Sequence, residues 1–282
     1  MRAAAAASAG DSDREPGLSA FWSRILVVAA LLPAVLGLVW LGGWWVLALA
    51  AVAGAIALHE YFGMIRELRP VALAGFTGFG LALLGVQLGG LEWMLGGFLA
   101  TFALAFGLHL VARTRASATV AVASTVLGAG WIGLGLGHLI LLRGFEEHGQ
   151  LAAFTVLLAV WAADTAAYLT GRLVGRHRLA PTISPGKTWE GFVAGTAAAV
   201  FVAFVALYKQ GLADGWRSIV LGFVIALAGA LGDLFESALK RDVGVKDSGS
   251  LLAGHGGMLD RIDALLFAGV ASYYLLRAFG AA

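Results

Sequence analysis

Long apolar segments separated by short polar or Gly-rich breaks dominate this chain. A hydrocarbon core of about 30 Å needs roughly 20 apolar residues per helix. Nine segments meet that length, at approximately 23–41, 43–64, 71–89, 92–112, 119–142, 151–174, 189–209, 218–239 and 262–280. The shortest break is Gly42-Gly43, and Pro33 lies inside the first segment, where neighbouring helices or water can satisfy the freed carbonyl. The pattern predicts an all-α fold, a polytopic integral membrane protein with about nine transmembrane helices.

Composition agrees with the pattern. The 282 residues are 60% hydrophobic and 13% charged, with 40 glycines, and the mean hydropathy is +0.87. That balance excludes a water-soluble domain with a polar surface. The absence of cysteine excludes disulfides, thiolate metal sites and a Cys nucleophile. A net charge of +2 is too small to argue for a nucleic-acid partner.

Residues 1–20 are Ala-rich and then carry Asp11, Asp13, Arg14 and Glu15, without the Leu-rich core of a signal peptide. They read as a disordered cytoplasmic arm. Five spans then fill 21–150, and four spans with charged loops at 175–188 and 240–261 fill 151–282. Nine spans put the N-terminus and the loops after spans two, four, six and eight on one side. Arg143, Lys209, Arg217 and Arg277 fall on the other, and the remaining 15 of the 19 Lys and Arg share the N-terminal side. The positive-inside rule makes that side cytoplasmic. The expected location is therefore the cell (inner or plasma) membrane, multi-pass, with the site facing the cytoplasm.

No internal repeat is visible. Gly-x-x-x-Gly pairs such as Gly171/Gly175 and Gly191/Gly195 let helices approach closely and permit a homodimer. Gly133, Gly135 and Gly137 lie inside a span with no strand before them, which excludes a dinucleotide fingerprint.

Against this background the run 232–263 stands apart. It holds Asp233, Glu236, Asp242, Asp247, Asp260 and Asp263, six of the 17 acids, with Lys240, Arg241, Lys246 and Arg261. Charge beside lipid is costly unless it binds something. Carboxylates suit a hard cation, and Lys and Arg suit phosphates. On a helix, Asp233, Glu236, Ser237 and Lys240 share one stripe about 100° wide and so face one cleft. The bland alternative, a basic helix end with a Glu236–Lys240 pair, leaves Asp233 without a partner deeper in the helix. Asp260 and Asp263 begin the next span, where a carboxylate can cap the helix. If the two spans pack together, Asp233 and Asp260 can converge on one Mg²⁺. The Gly- and Ser-rich segment between them, with Gly256 and Gly257 after His255, suits a loop close to phosphate. A lone His there is more often structural than catalytic.

A second cluster follows span six. Asp164 and Tyr168 lie one turn apart, Arg172 another turn on, and RHRLAPTISPGKTWEG follows. Gly186-Lys187-Thr188 is not a Walker A loop, because Pro181 stands where that motif needs glycine and no strand precedes it. Ser184, Lys187 and Thr188 read as a phosphate-contacting loop leading into span seven. Arg176 and Arg178 read as topogenic charges. Glu60, near the cytoplasmic end of span two, either joins the site or sits at the interface.

The run SALKRDVGVKDSGSLLAGHGGMLDRID, from Ser237 to Asp263, resembles the signature of the phosphatidate cytidylyltransferases (CDP-diacylglycerol synthases), as do GDLFES before it and the distant SPGKTWEG. Ala253 departs from the usual turn residue, Pro or a comparably small one. The resemblance implies transfer of the cytidylyl group of CTP to phosphatidic acid, giving CDP-diacylglycerol and pyrophosphate for phospholipid synthesis. It implies Mg²⁺, with Mn²⁺ as the alternative divalent ion and an additional monovalent cation beside it. Asp233 and Asp260 are the implied metal ligands, with Asp263, Asp247 and Glu236 as further ligands or orienting groups. Lys187, Lys240, Arg241, Lys246 and Arg261 are the implied phosphate clamps, Ser184, Thr188, Ser237, Gly256 and Gly257 further contacts, and His255 a catalytic candidate. Asp164 and Tyr168 would close the cleft wall. Two rival readings are a CTP-dependent enzyme with another lipid acceptor and an ion or metabolite transporter. The latter predicts ionisable groups spread across the membrane, whereas here they cluster at one face.

Overall fold

The structure, a computed structural model, describes residues 31–112, 117–246, 248–249 and 256–281. Eight helices account for most of it: α1 (Leu31–Leu41), α2 (Trp44–Met64), α3 (Ala72–Val111), α4 (Ala118–Arg143), α5 (Gly149–Val174), α6 (Trp189–Leu207), α7 (Trp216–Asp242) and α8 (Leu259–Ala278). A helix or helix arm overlaps each of the nine apolar segments, the first of them only at Leu31–Leu41 among the described residues. The 40-residue α3 covers two of them, because Gly90, at φ 70 and ψ −150, breaks it into two arms. A conformation of that kind is open to glycine and strained for other residues.

Six helices, α2 to α7, are long and apolar enough to cross a membrane. α8 has 20 residues but carries Asp260, Arg261, Asp263 and Arg277. Large apolar side chains such as Leu73, Leu99, Phe201 and Trp216 are exposed, as expected where lipid replaces water as the solvent. The molecule is a multi-pass membrane protein.

The break at Gly42-Gly43 is real and has a partner. Arg143, at the end of α4, donates to the carbonyls of Val39 (2.8 Å) and Trp40 (2.9 Å), satisfying the open C-terminus of α1. This turn needs glycine for its φ of +70, and a Cβ on Gly42 would also lie 2.6 Å from that guanidinium and push it off its carbonyls.

Two apolar clusters make up the core. One joins α2, α3 and α4 to Leu259, Ile262 and Leu266 of α8. The other joins α5, α6 and α7 to Ala264, Ala268, Tyr273 and Leu276 of the same helix. α8 is thus wedged between the two halves of the chain, and the first turn of α8 sits where both meet.

The glycine pair Gly191/Gly195 brings two helices into close approach. A Cβ on Gly191 would lie 2.7 Å from the Ala167 carbonyl oxygen, and one on Gly195 would lie 2.7 Å from that of Ala163. α5 and α6 therefore touch backbone to backbone, and the Gly191/Gly195 face is spent inside the chain.

One element departs from the expectation of a loop. Residues 178–188 form an antiparallel hairpin, β1 (Arg178–Ala180) and β2 (Ser184–Thr188), which pairs Arg178 with Thr188 and Ala180 with Ser184. The chain must reverse between α5 and α6, and Pro181-Thr182 makes the turn. Ladder bonds then satisfy backbone groups that a bare loop beside lipid would leave open.

Candidate active site

The hairpin is fastened at both ends. Thr188 ends β2, is buried, and accepts a hydrogen bond from the Gly191 amide (3.1 Å), so its hydroxyl caps α6. At the other end, Glu190 accepts from His177 Nδ1 (2.6 Å) and from the His177 amide. The Arg241 guanidinium donates to the Ile183 carbonyl at the tip (3.3 Å) and to Val245 (3.4 Å), tying the turn to the end of α7. Arg241 therefore holds protein carbonyls here.

This bracing presents Lys187 to α7. Its ammonium pairs with Asp233 at 2.5 Å, both side chains being partly buried. The sequence leaves Asp233 without a partner. The fold supplies one from a distant strand.

A cavity of about 630 Å³ opens beside this pair, between α5, α6, α7 and the hairpin. Its wall carries Asp164, Tyr168, Arg172, Arg178, Lys187 and Asp233. Apolar residues also line it, with Val160 and Ile225 one and two turns deeper along α5 and α7 than Asp164 and Asp233. Arg172 donates to the Tyr168 hydroxyl (3.0 Å), so these neighbours act as one unit. Sequence reasoning missed Arg172 and Arg178 as site residues. The available signal for Arg172 was its position one turn beyond Tyr168 on the stripe of Asp164, whereas Arg178 depends on the unforeseen hairpin.

The stripe on α7 exists as expected. Lys240 donates to Glu236 (2.8 Å), and Ser237 donates to Asp233 (3.4 Å). Lys240 also reaches Asp260 on α8 at 2.6 Å, so one buried ammonium bridges two helices. Glu236 is 1% exposed, and its second oxygen has no hydrogen-bond partner among the described residues.

Asp260 is fully engaged. One oxygen takes Lys240; the other accepts from the Gly257 amide (2.9 Å), the Ser248 hydroxyl (3.0 Å) and the Ser248 amide (3.3 Å). One turn on, the buried Asp263 lies within electrostatic reach of Asp233, Asp164 and Lys187. Glu236 in turn feels Asp263 and Asp260. Five acids from α5, α7 and α8 thus form one connected field, with Lys187 and Lys240 set into it.

Other expected residues fall differently. Ser184 begins β2, away from the cavity wall, while Thr188 contributes to that wall. Gly256 adopts φ +77, and a Cβ on it would lie 3.2 Å from Asp260 Oδ2. Lys246 and Arg261 are exposed and do not line the cavity. Asp247, His255 and the turn at Ala253 lie outside the described residues. Glu60, left open between site and interface, is buried against the start of α8 and accepts from the Met258 (3.0 Å) and Leu259 (2.9 Å) amides.

Residues 22–279 match the model of the cytidylyltransferase family. The chain belongs to the cytidylyltransferase family. Three of its relatives carry the name phosphatidate cytidylyltransferase. The protein of Staphylococcus haemolyticus is 32% identical over 251 residues, covering 87% of this chain and 93% of its own. That of Mycobacterium bovis is 34% identical over 261 residues, covering 82% and 80%. The match to the Brucella suis protein is 43% identical over 161 residues and spans 55% of this chain and 58% of that relative. In this family member, polar groups from α5, the hairpin and α7 share one cavity with apolar residues deeper along α5 and α7. That combination suits an amphiphilic substrate.

Proposed function

We propose that this protein transfers the cytidylyl group of CTP to phosphatidic acid. A phosphate oxygen of the lipid attacks the α-phosphorus of CTP, forming a new P–O bond. The bond from the α-phosphorus to the bridging oxygen breaks, and pyrophosphate leaves with the electron pair. Because the second pKa of such a phosphate is near 6, it is already largely dianionic at neutral pH, and no strong base is required. The energetic problem is bringing two polyanions together.

The observation that carries this reading is the cavity's mixed wall. Lys187, Arg172 and Arg178 line it together with Asp164 and Asp233, while Val160 and Ile225 line it one and two turns deeper along α5 and α7. Fixed cations offset the charge of the phosphates as they meet and stabilise the charge that develops on the leaving group. The deeper apolar wall accepts hydrocarbon. Lys187 is held by Asp233 until an anion competes for it, and Tyr168 orients Arg172.

Among the described residues no three acids converge as a ready-made cation site. Asp233, Asp260, Glu236 and Asp263 are hard oxygen donors in one electrostatic field, and Glu236 has a buried oxygen with no hydrogen-bond partner among the described residues. A divalent cation held here would therefore take one or two of these carboxylates and draw its other ligands from substrate phosphates. Mg²⁺ prefers one or two carboxylates plus substrate phosphates. Asp233 and Asp260 are the proposed pair, with Asp263 and Glu236 beside them and Mn²⁺ as the alternative ion. When bound, the cation would neutralise phosphate charge. The charged loops are proposed to face the cytoplasm, where CTP is found, with the lipid phosphate held at headgroup depth.

The test is direct. Purified protein with Mg²⁺, labelled CTP and phosphatidic acid is expected to release pyrophosphate and form CDP-diacylglycerol. Absence of product with phosphatidic acid, while a polyprenyl or ether-lipid phosphate reacts, would redirect the assignment to another acceptor. Uptake of a solute into vesicles without CTP consumption would overturn it.

A further inference from the structure

The N-terminal helices line none of the cavity, yet one of their residues reaches the catalytic run. Glu60 of α2 is 4% exposed. One of its oxygens accepts from the Met258 amide (3.0 Å). The other accepts from the Leu259 amide (2.9 Å) and lies 3.4 Å from the Ser248 hydroxyl. The first amides of a helix have no partner within it, and a carboxylate there gains both hydrogen bonds and the dipole. α8 has no capping side chain of its own at Met258, so the acceptor comes from another helix.

Capping alone would not require the rest of the arrangement. The Gly257, Met258 and Leu259 amides are consecutive, and two carboxylates divide them: Gly257 donates to Asp260, and the next two donate to Glu60. Ser248 stands between the same two acids, 3.0 Å from Asp260 and 3.4 Å from Glu60, with one hydroxyl proton to offer. The glycines on either side leave no slack. A Cβ on Gly249 would lie 2.7 Å from Glu60, and one on Gly257 would collide with the Ser248 hydroxyl and lie 2.7 Å from Glu60. Glu60 thus fixes the groups that fix Asp260, whose other oxygen meets Lys240.

We propose that Glu60 is a positioning residue for the transfer reaction, acting through Ser248 and the Gly257–Leu259 amides to aim the Asp260 carboxylate. The inference rests on the proposed function for its kinetic consequence, while its structural part stands separately. Charged hydrogen bonds hold geometry better than neutral ones, and groups that orient a ligand-bearing residue typically matter about 10- to 100-fold in metal affinity or activity.

The experiment compares wild type, Glu60→Gln, Glu60→Asp and Ser248→Ala in detergent or nanodiscs, reading kcat, the Mg²⁺ concentration for half-activity and amide hydrogen exchange. Glu60→Gln keeps the shape but turns an NH₂ toward backbone donors. It is expected to lower kcat by about 10- to 100-fold, to raise the Mg²⁺ requirement, and to speed exchange at 257–259 while other helices stay protected. Glu60→Asp is expected to recover part of the loss, which a merely steric role would not give. Wild-type kcat and Mg²⁺ requirement in Glu60→Gln, or unchanged exchange at 257–259, would overturn the proposal. If Glu60→Gln fails to fold, Ser248→Ala decides: a raised Mg²⁺ requirement supports the role and a wild-type value overturns it. If wild type itself makes no CDP-diacylglycerol, the proposed function fails, whereas the exchange comparison still decides whether Glu60 holds the start of α8.

Discussion

Lys187 of β2 and Asp233 of α7 meet at 2.5 Å, and that contact joins the hairpin to a carboxylate on a membrane helix. Each charge is partly withdrawn from water, so each depends on the other until a substrate or cation intervenes. Lys187→Met is expected to lower kcat/KM by about 100-fold or more, the scale of losing one fixed positive donor to a developing charge. The double variant Lys187→Met, Asp233→Asn is expected to unfold at a higher temperature than Lys187→Met alone, because it removes the stranded charge. Equal melting temperatures would show that the two residues are not coupled.

Lys240 bridges Glu236 and Asp260 from a buried position. Removing it leaves two carboxylates facing each other in a poorly solvated site. Lys240→Met is expected to cost about 3–5 kcal/mol of stability, read by thermal unfolding. Adding Glu236→Gln is expected to restore part of that loss. Asp260→Asn is expected to abolish turnover while the protein stays folded: its oxygen can keep the Gly257 and Ser248 donors while its NH₂ replaces only the Lys240 contact, and thermal unfolding checks the fold.

Chelation provides a separate check. EDTA is expected to stop CDP-diacylglycerol formation, and Mg²⁺ to restore it. Full turnover in excess chelator would remove the cation from the scheme.

The chain has no cysteine, so single cysteines report orientation without background. Lys246→Cys, in the charged run after α7, is expected to react with a membrane-impermeant maleimide only when the cytoplasmic face is open. Lys209→Cys, between α6 and α7, is expected to react from outside in intact cells. The reverse pattern would invert the topology.

The α5–α6 contact makes a packing prediction. A Cβ on Gly195 would lie 2.7 Å from the Ala163 carbonyl oxygen and 3.1 Å from Ala167. Gly195→Ala is expected to cost about 1–3 kcal/mol, the range for overpacking, and to disturb turnover because both helices wall the cavity. An unchanged melting temperature would mean the helices can part without cost.

Much of this protein is determined by its sequence alone. Apolar length dictates helices wherever the backbone must satisfy itself away from water. The breaks at Gly42-Gly43 and between 89 and 92 are legible because the helical pattern lapses at glycine. The stripe Asp233, Glu236, Ser237 and Lys240 follows from helical periodicity, and the signature from Ser237 to Asp263 carries the family. Tertiary structure alone decided the partners. Lys187 belongs to Asp233, Lys240 to Asp260 as well as Glu236, Arg241 to the hairpin tip, and Glu60 to the first amides of α8. Periodicity states which face a residue occupies on its own helix, but buried charge is settled by what the other helices bring to that face, and that depends on packing between segments far apart in the chain.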